Sequence, residues 1–324
     1  MHPISAIVVT HNSAAVIGEC LAALHDVEQI AVVDNNSVDS TVSYVCSTPG
    51  VRLIGNRTNR GFAAGVNQGV RETTSPYLLI LNPDAVLLDD LSPLIQRAAQ
   101  CGVAAGRLVD SDGTTQTGFT IRRFPTAWAL AFEVLGLTAI WPTNPINRAY
   151  RYLDRDSVTS GPVEQPAGAF LMVRRDVFEE LHGFDEGYYP VWFEDVDFCR
   201  RAKEIGYTFW YESGVRARHT GAHSVRGIAP QDRAGYWYGG LLRYAGKYLP
   251  RPQFRAVSMA VAAGSVLRML VEPILKRSGK PIAAYGKIVR LALSCALSGR
   301  PPIPRNVCAE IEDEGPNGLS HPER

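Results

Sequence analysis

Three carboxylates stand within four positions in Trp192-Phe193-Glu194-Asp195-Val196-Asp197, behind two aromatic residues. Packed carboxylates repel one another and are costly to desolvate unless a cation or a proton offsets them. Groups of this kind serve as general bases, and two that neighbour each other push one pKa upward. Consecutive side chains need not point the same way, so only one of Glu194 and Asp195 has to meet a substrate. Asp197 precedes Arg200 and Arg201 at the spacing of helical ion pairs and is read as scaffold. Four more polar clusters carry groups able to bind a ligand: His11-Asn12, Asp34-Asn35, Asn59-Arg60 and Asn82-Pro83-Asp84, each just beyond an apolar run.

Those runs are the elements that must position the clusters. Residues 4–10 are a short, largely β-branched stretch that reads as a buried parallel strand. Asn12 and Ser13 stand as caps for a helix over 14–24. Residues 29–33, 51–54 and 77–81 read as further strands. Helices are expected from Asp39-Ser40-Thr41, after the Gly/Asn-rich turn that begins at Asn56, and over 91–100. Strands alternating with helices predict an α/β fold around a mostly parallel sheet. Ligands of such sheets bind beyond the carboxyl ends of the strands, so the clusters should converge in space. No GxGxxG follows the first strand, which argues against a dinucleotide-binding Rossmann domain. Residues 103–124 read as strand and loop, 166–173 as a strand, and 175–181 as a helix leading to the acidic run.

The chain has 324 residues, 46% hydrophobic and 20% charged, enough for one large domain and an appendage. Its charge is uneven. Residues 1–215 hold 16 basic and 25 acidic residues, whereas 216–300 hold 15 basic residues against only Asp232 and Glu272. Helical stretches over 236–248, 254–275 and 282–297 interleave apolar positions with Arg243, Lys247, Arg268, Lys276, Arg277, Lys280, Lys287 and Arg290. They are read as basic amphipathic helices that lie on an anionic membrane surface. The aromatic, apolar segment 125–145 is too short and too interrupted, by Glu133, to span a bilayer; an interfacial segment, an acceptor-side lid or a buried helix would each fit. The expected division is 1–228 as catalytic domain, 229–300 as helical extension and 301–324 as a Pro-rich disordered tail. The six cysteines are scattered without metal-like spacing, as reduced cytoplasmic thiols would be, and the N-terminus lacks the features of a signal peptide.

Taken in order, VVTHNS, VVDNNSVDST, NRGFAAGVNQG, LLILNPDA and PAGAFLMVRRDVFEELHGFDEGYYPVWFEDVDFCRRAKEIGY resemble family 2 glycosyltransferases of the GT-A fold. The spacing is similar to that of the bacterial rhamnosyltransferase branch, which includes enzymes that add L-rhamnose to polyprenyl-diphosphate-GlcNAc. The resemblance covers about residues 4–225. It implies that Asp34 accepts the imide N–H of a uracil or thymine base, with Thr10 and Asn12 in the same nucleotide pocket. Arg60 and Asn67 flank a helix start, where Arg60 would meet a phosphate. Gly61 and Gly65 fit either close approach to a ligand or tight helix–sheet packing. Asn82 takes the place of the first Asp of the family's Asp-x-Asp, and Asp84 would hold a divalent cation, Mg²⁺ or Mn²⁺, on the donor diphosphate. His219 would be its protein ligand, with His223 as competitor. The resemblance makes Asp195 the base that deprotonates the acceptor, beside Glu194. Gly168 is expected on the acceptor side, where Trp192 and Phe193 offer apolar faces either for stacking a sugar ring or for core packing.

The expected activity is therefore inverting, metal-dependent transfer of a sugar, best matched by L-rhamnose from dTDP-L-rhamnose. The acceptor would be a lipid-linked glycan such as GlcNAc-diphosphate-polyprenol, at the cytoplasmic face of the cell membrane. A UDP-galactofuranose or UDP-glucose transferase is the rival within the same chemistry. From other classes, a nucleotidyltransferase would need a basic Gly-rich phosphate loop that VVTHNSAAVIG lacks, and a non-catalytic nucleotide-sugar-binding module would have no need of Asp195. No nucleic-acid partner is expected, and the oligomeric state is left open.

Overall fold

The computed structural model describes residues 2–221, 228–276 and 280–302. His223, Arg277, Cys308 and the tail beyond residue 302 lie outside the described residues. The first half runs β1 (His2–Thr10), α1 (Ile17–Ala22), β2 (Val27–Asn35), α2 (Thr41–Cys46), β3 (Val51–Asn56), α3 (Phe62–Arg71), β4 (Tyr77–Leu81), β5 (Ala85–Leu87), α4 (Ser92–Cys101) and β6 (Gly102–Val109). Next come β7 (Ile121–Arg122), α5 (Ala127–Val134), α6 (Leu137–Ile140), α7 (Pro145–Tyr150), β8 (Gly161–Val163), β9 (Gln165–Pro166), β10 (Phe170–Arg174) and α8 (Arg175–Glu180). The rest is α9 (Glu194–Glu204), β11 (Thr208–His219), α10 (Pro230–Tyr248), α11 (Arg251–Lys276) and α12 (Lys280–Ser298).

The main sheet has the order β3-β2-β1-β4-β10-β6-β11-β5, with β8 paired to β11, and β7 and β9 form a separate ribbon. The half from β3 to β4 is parallel; β10 runs antiparallel between β4 and β6. Successive strand side chains face opposite ways, so β1 serves two cores at once. Ile4, Ala6 and Val8 pack with Ile17, Leu21, Leu94 and Ala98 of α1 and α4. Ile7 and Val9 pack on the other side with Val66 and Val70 of α3. The glycines of α3 permit this approach: a Cβ at Gly65 would lie 2.8 Å from Val9 Cγ1. Of the two readings of Gly65, the helix–sheet contact is the one observed.

Some expectations of local structure are corrected. Asn12 and Ser13 do not cap α1 through their side chains; its N-cap is Val16, and Asn12 instead accepts a hydrogen bond from Val38 N at 2.8 Å. The 125–145 segment is not one helix but α5, α6 and the start of α7. Thr126 caps α5 by accepting from Ala129 N, and Asn144 caps α7 by accepting from Asn147 N. Ala129, Leu130 and Val134 of α5 face inward, whereas Trp128 is 69% exposed.

The core does not stop at residue 228. Leu241 and Tyr244 of α10, Phe254 and Val261 of α11, and Ile288 and Ala292 of α12 join the cluster that contains Ile7, Leu171 and Phe198. Nor are the basic residues of these helices a single solvated face. Arg243 and Lys247 of α10 turn to acidic partners, Asp185 for both and Asp197 for Lys247, and Arg268 Nη1 donates to the carbonyls of Val134 and Gly264. The exposed stripe of α11 is apolar instead: Ala256, Met259, Ala263, Val266, Leu267, Leu270 and Ile274 recur at helical spacing, Leu270 at 65% and Ile274 at 78% exposure. Among the described residues α11 is the one helix long and apolar enough to cross a bilayer, and 39% of that stretch is buried in the fold. Lys287 and Arg290 of the neighbouring α12 are exposed.

Candidate active site

Parallel pairing brings the strand ends into line. Thr10 is opposite Asp34, Asp34 opposite Gly55, Asn35 opposite Asn56, and β4 ends one residue before Asn82. A cavity of about 590 Å³ opens there, lined on this side by Val9, Thr10, His11, Asn35 and Gly61. Asp34 is buried behind Thr10: its carboxylate accepts from Thr10 Oγ1 (3.0 Å), Ser37 N (2.9 Å) and Ser37 Oγ (2.5 Å). Asn35 shapes the next loop, donating to Gly61 O at 3.0 Å and accepting from Asn56 Nδ2 at 3.0 Å. Gly61 has φ +83°, and a Cβ there would stand 2.9 Å from Pro190 O, which itself accepts from Phe62 N at 2.7 Å. The helix start of α3 is thereby stitched to the loop before the acidic run.

Two of the expected nucleotide-side residues belong elsewhere, and a third stands off the cavity wall. Asn67 gives its amide to the chain before the acidic run: Nδ2 donates to Phe184 O (2.9 Å) and Glu186 (3.0 Å), and Oδ1 accepts from Phe184 N (2.9 Å). Asn12 ties the end of β1 to residues 37 and 38. The side chain of Arg60 makes no hydrogen bond or ion pair among the described residues, and it is not part of the cavity wall.

Asn82, Asp84 and His219 form the floor. Asp84 and His219 are both buried, with His219 Nε2 3.3 Å from Asp84 Oδ1 and 3.3 Å from Asn82 Nδ2. Gln116 fixes the tautomer. Its Nε2 donates to His219 O at 2.7 Å, so its Oε1, 2.9 Å from His219 Nδ1, is the acceptor and Nδ1 carries the proton. Nε2 is then the ring nitrogen that faces the carboxylate. No three His, Cys, Asp or Glu side chains cluster as a cation site among the described residues. A carboxylate oxygen and an imidazole nitrogen in a buried cleft fit a Mg²⁺ or Mn²⁺ ion that borrows its other ligands from substrate phosphates.

The segment Ala167-Gly168-Ala169 joins this floor to the acidic run. Ala169 O accepts from Asn82 N (3.0 Å), Ala167 N donates to Thr120 O (3.0 Å), and Gly168 N donates to Asp195 Oδ2 (2.9 Å). A Cβ at Gly168 would lie 3.1 Å from Asp195 Cβ, so glycine is what lets the backbone approach this carboxylate. Asp195 Oδ1 accepts from Val196 N at 2.8 Å, which fixes the rotamer.

Glu194, Asp195 and Asp197 fill the first turn of α9, where the helix dipole favours negative charge, and Arg201 and Lys203 fill its last. Trp192 and Phe193 enter in left-handed conformations, φ 84° and 75°. Asp195 lines the cavity. Glu194 is buried beside it, its Oε2 without a hydrogen-bond partner among the described residues; burial first and the Asp195 charge second push its carboxyl well above the usual range. Asp197 faces away and is fully buried, accepting from Arg201 Nε (2.8 Å), Lys247 Nζ (2.6 Å), Tyr248 OH (2.8 Å) and Tyr188 OH (3.2 Å). The scaffold role expected of Asp197 is the one observed, with Arg201 as partner, while Arg200 pairs with Glu204. Trp192 lines the cavity. Phe193 is mostly buried, its ring packed against Trp237 and Tyr244 of α10, and it too belongs to the cavity wall.

The cavity wall also contains residues that the sequence did not single out: Arg122, Glu133, Arg151, Tyr189, and Tyr236 and Trp237 of α10. Arg151 is committed to Glu133 (3.0 Å) and Asn147 (3.0 Å).

Residues 5–182 match the model of "Glycosyl transferase family 2". The chain is 28% identical over 212 residues to the N-acetylglucosaminyl-diphospho-decaprenol L-rhamnosyltransferase of Mycobacterium tuberculosis, spanning 60% of this chain and 67% of that protein. It is 26% identical to the rhamnosyltransferase WbbL of Escherichia coli over 76% of this chain and 92% of that one. It is 24% identical to the low-salt glycan biosynthesis hexosyltransferase Agl10 of Haloferax volcanii, over 83% and 85%. Among solved structures it resembles GalNAc-T7 with UDP, GalNAc and Mn²⁺ (TM-score 0.57, 12% identity, 96% of this chain and 57% of that one). It also resembles the mannosyltransferase PcManGT of Pyrobaculum calidifontis with GDP-Man and Mn²⁺ (TM-score 0.52, 17% identity, 91% and 87%). At these identities the structural likeness bears on the fold alone.

Proposed function

The chain belongs to glycosyl transferase family 2 and has the GT-A fold, and from that premise we propose that it is an inverting transferase of L-rhamnose from dTDP-L-rhamnose to a lipid-linked acceptor such as GlcNAc-diphosphate-polyprenol. The observation that carries the mechanism is the 167–169 segment, which ties Asp195 and the Asp84–His219 floor to consecutive residues. Thr10 and Asn35 shape the nucleotide end of the cavity, with Asp34 buttressing Thr10 from behind. Asp84 and His219 would hold a divalent cation, which when bound supplies charge to the donor diphosphate. Asp195 takes the acceptor hydroxyl proton, while Glu194 stays protonated beside it and keeps a second negative charge off the base.

A lipid-linked acceptor is supported by the likeness to the mycobacterial relative, whose name gives it a diphospho-decaprenol acceptor. The exposed stripe of α11, flanked by Lys287 and Arg290, suits an anionic bilayer, and the exposed Trp128, Ile140 and Trp141 suit its interface. The protein would then work at the cytoplasmic face of the membrane, in keeping with the free thiols among the described residues. Transfer of another hexose is the second reading, favoured by the 83% span shared with a relative named hexosyltransferase.

The test is transfer by purified protein to a GlcNAc-diphosphate-lipid acceptor, with Mn²⁺ or Mg²⁺ and a panel of dTDP- and UDP-sugars, reading released nucleotide and the anomeric configuration of the product. Asp195→Asn is expected to lower kcat by about 10²–10⁴-fold. Undiminished transfer by that variant overturns the base assignment, full activity in EDTA overturns the cation role, and a retained configuration overturns inversion.

A further inference from the structure

The cavity contains one cationic side chain for which the residues named so far provide no task. Arg122 ends the two-residue strand β7, opposite Gln165 of β9. Its Nε donates to Gly118 O at 2.8 Å, which fixes the plane of the guanidinium. Its Cζ lies 5.7 Å from the ring centre of Phe119, and the Phe119 ring is stacked on His219 at 5.4 Å and 8°. Arg122, Phe119 and the imidazole beside Asp84 are therefore one contiguous group. From the other direction, Gln165 leads within three residues to Gly168, the backbone donor to Asp195. Arg122 thus lines the wall between the two chemical ends of the cavity.

Its partners are fewer than its donors. Among the described residues the two Nη groups of Arg122 make no hydrogen bond or ion pair, whereas the other arginine of the wall, Arg151, is neutralised by Glu133. A guanidinium on a cavity wall, held through Nε and with its outer N–H groups unpaired among the described residues, can take two oxygens of one anion. The floor beside it also has an amide, Asn82, two positions before its single carboxylate.

We propose that Arg122 binds the diphosphate of the nucleotide donor and stabilises it as it leaves, an assignment that rests on the transferase reading. In the transfer the acceptor O–H gives its proton to Asp195 and the acceptor oxygen bonds to the anomeric carbon. The bond from that carbon to the phosphate oxygen breaks, and its electron pair stays on the phosphate. One new negative charge appears there, and the Nη donors meet it. Such donors act most strongly where they are fixed before the charge develops. A lipid diphosphate on the acceptor carries the same chemistry, so the test must separate the two.

Binding of UDP, dTDP, UMP, dTMP and geranyl diphosphate is measured by calorimetry in Mn²⁺ for the wild type, Arg122→Ala and Arg122→Lys. Arg122→Ala is expected to weaken the nucleotide diphosphates by about 10–100-fold, leaving the monophosphates and geranyl diphosphate unchanged. Its kcat should fall by about 10²-fold with the acceptor KM unchanged. Arg122→Lys, which keeps the charge without the planar fork, should fall between, and it carries the test if the alanine variant does not fold. Equal loss for mono- and diphosphates, loss for geranyl diphosphate alone, or no loss each overturns the assignment. A wild type that binds neither nucleotide diphosphate overturns the transferase reading instead.

Discussion

Replacing Asp197 with alanine separates the scaffold part of the acidic run from its chemistry. The carboxylate is fully buried and is the common acceptor of Arg201, Lys247, Tyr188 and Tyr248. Removing one member of a buried ion pair costs about 3–5 kcal/mol, because the remaining charge is left without a partner. Here Arg201 is 21% and Lys247 36% exposed, so water reaches both and the lower end, about 3 kcal/mol, applies. In a chain of 324 residues that is a fall of about 4–6 °C in Tm. Asp197→Asn keeps an acceptor for the tyrosines and should lose less. Thermal melts by circular dichroism give the shift, and a double-mutant cycle with Lys247→Met should return a coupling of about 1 kcal/mol or more. Well below Tm, Asp197→Ala should keep transfer activity within about tenfold of wild type, unlike Asp195→Asn. A variant that melts like wild type but is as inactive as Asp195→Asn would show that Asp197 acts in the chemistry and that the division of the run is wrong.

Glu194 gives a pH prediction. Its carboxyl is raised in the folded protein, so the folded state holds a proton that the unfolded state has released. Its contribution is complete below the ordinary glutamate range and is lost as pH rises through the folded pKa. Glu194→Gln cannot titrate, so urea unfolding from pH 5 to pH 9 should show a flatter decline than wild type; equal slopes would refute the buried-proton reading. The membrane face is tested by Leu270→Glu with Ile274→Glu. Each leucine-sized side chain withdrawn from an apolar phase forfeits about 1.5–3 kcal/mol. Sedimentation with phosphatidylglycerol vesicles should therefore fall more than tenfold, and unchanged sedimentation would move the docking surface elsewhere.

The sheet was legible because its strands are apolar runs closed by polar clusters, and parallel pairing brings those clusters together. The pairing of Asp197 with Arg201 was legible through helical spacing. What failed depended on long-range partners. Arg243 and Lys247 read as part of a basic surface for an anionic membrane, yet their acceptors, Asp185 and Asp197, lie some fifty positions earlier in the chain. Asn67 stands beside a loop rich in ligand-binding residue types, but its amide is taken up by Phe184, more than a hundred residues away. Arg122 gave no signal, since a two-residue strand has no periodicity to read. The exposed apolar stripe of α11 was masked by the residues alternating with it, which are apolar on the buried side as well.

The same long-range contacts tie the position of Asp195, the proposed base, to the C-terminal helices. Residues 194, 195 and 197 leave one helical turn in different directions, at about 100° per residue. Asp195 therefore meets the cavity while Asp197, on the far side of the turn, meets α10. Lys247 bridges Asp197 to Asp185, and Arg243 adds a second link to Asp185. The loop from Asp185 to Pro190 is held in turn by Asn67 through Glu186 and by Phe62 N on Pro190 O. Tyr236 and Trp237, on the same α10, line the cavity near Asp195. A displacement of α10 would shift the wall and the base together, because one buried carboxylate belongs to both. Of the helices that read as a separate extension, α10 is on this geometry part of the cavity wall and of the support for Asp195.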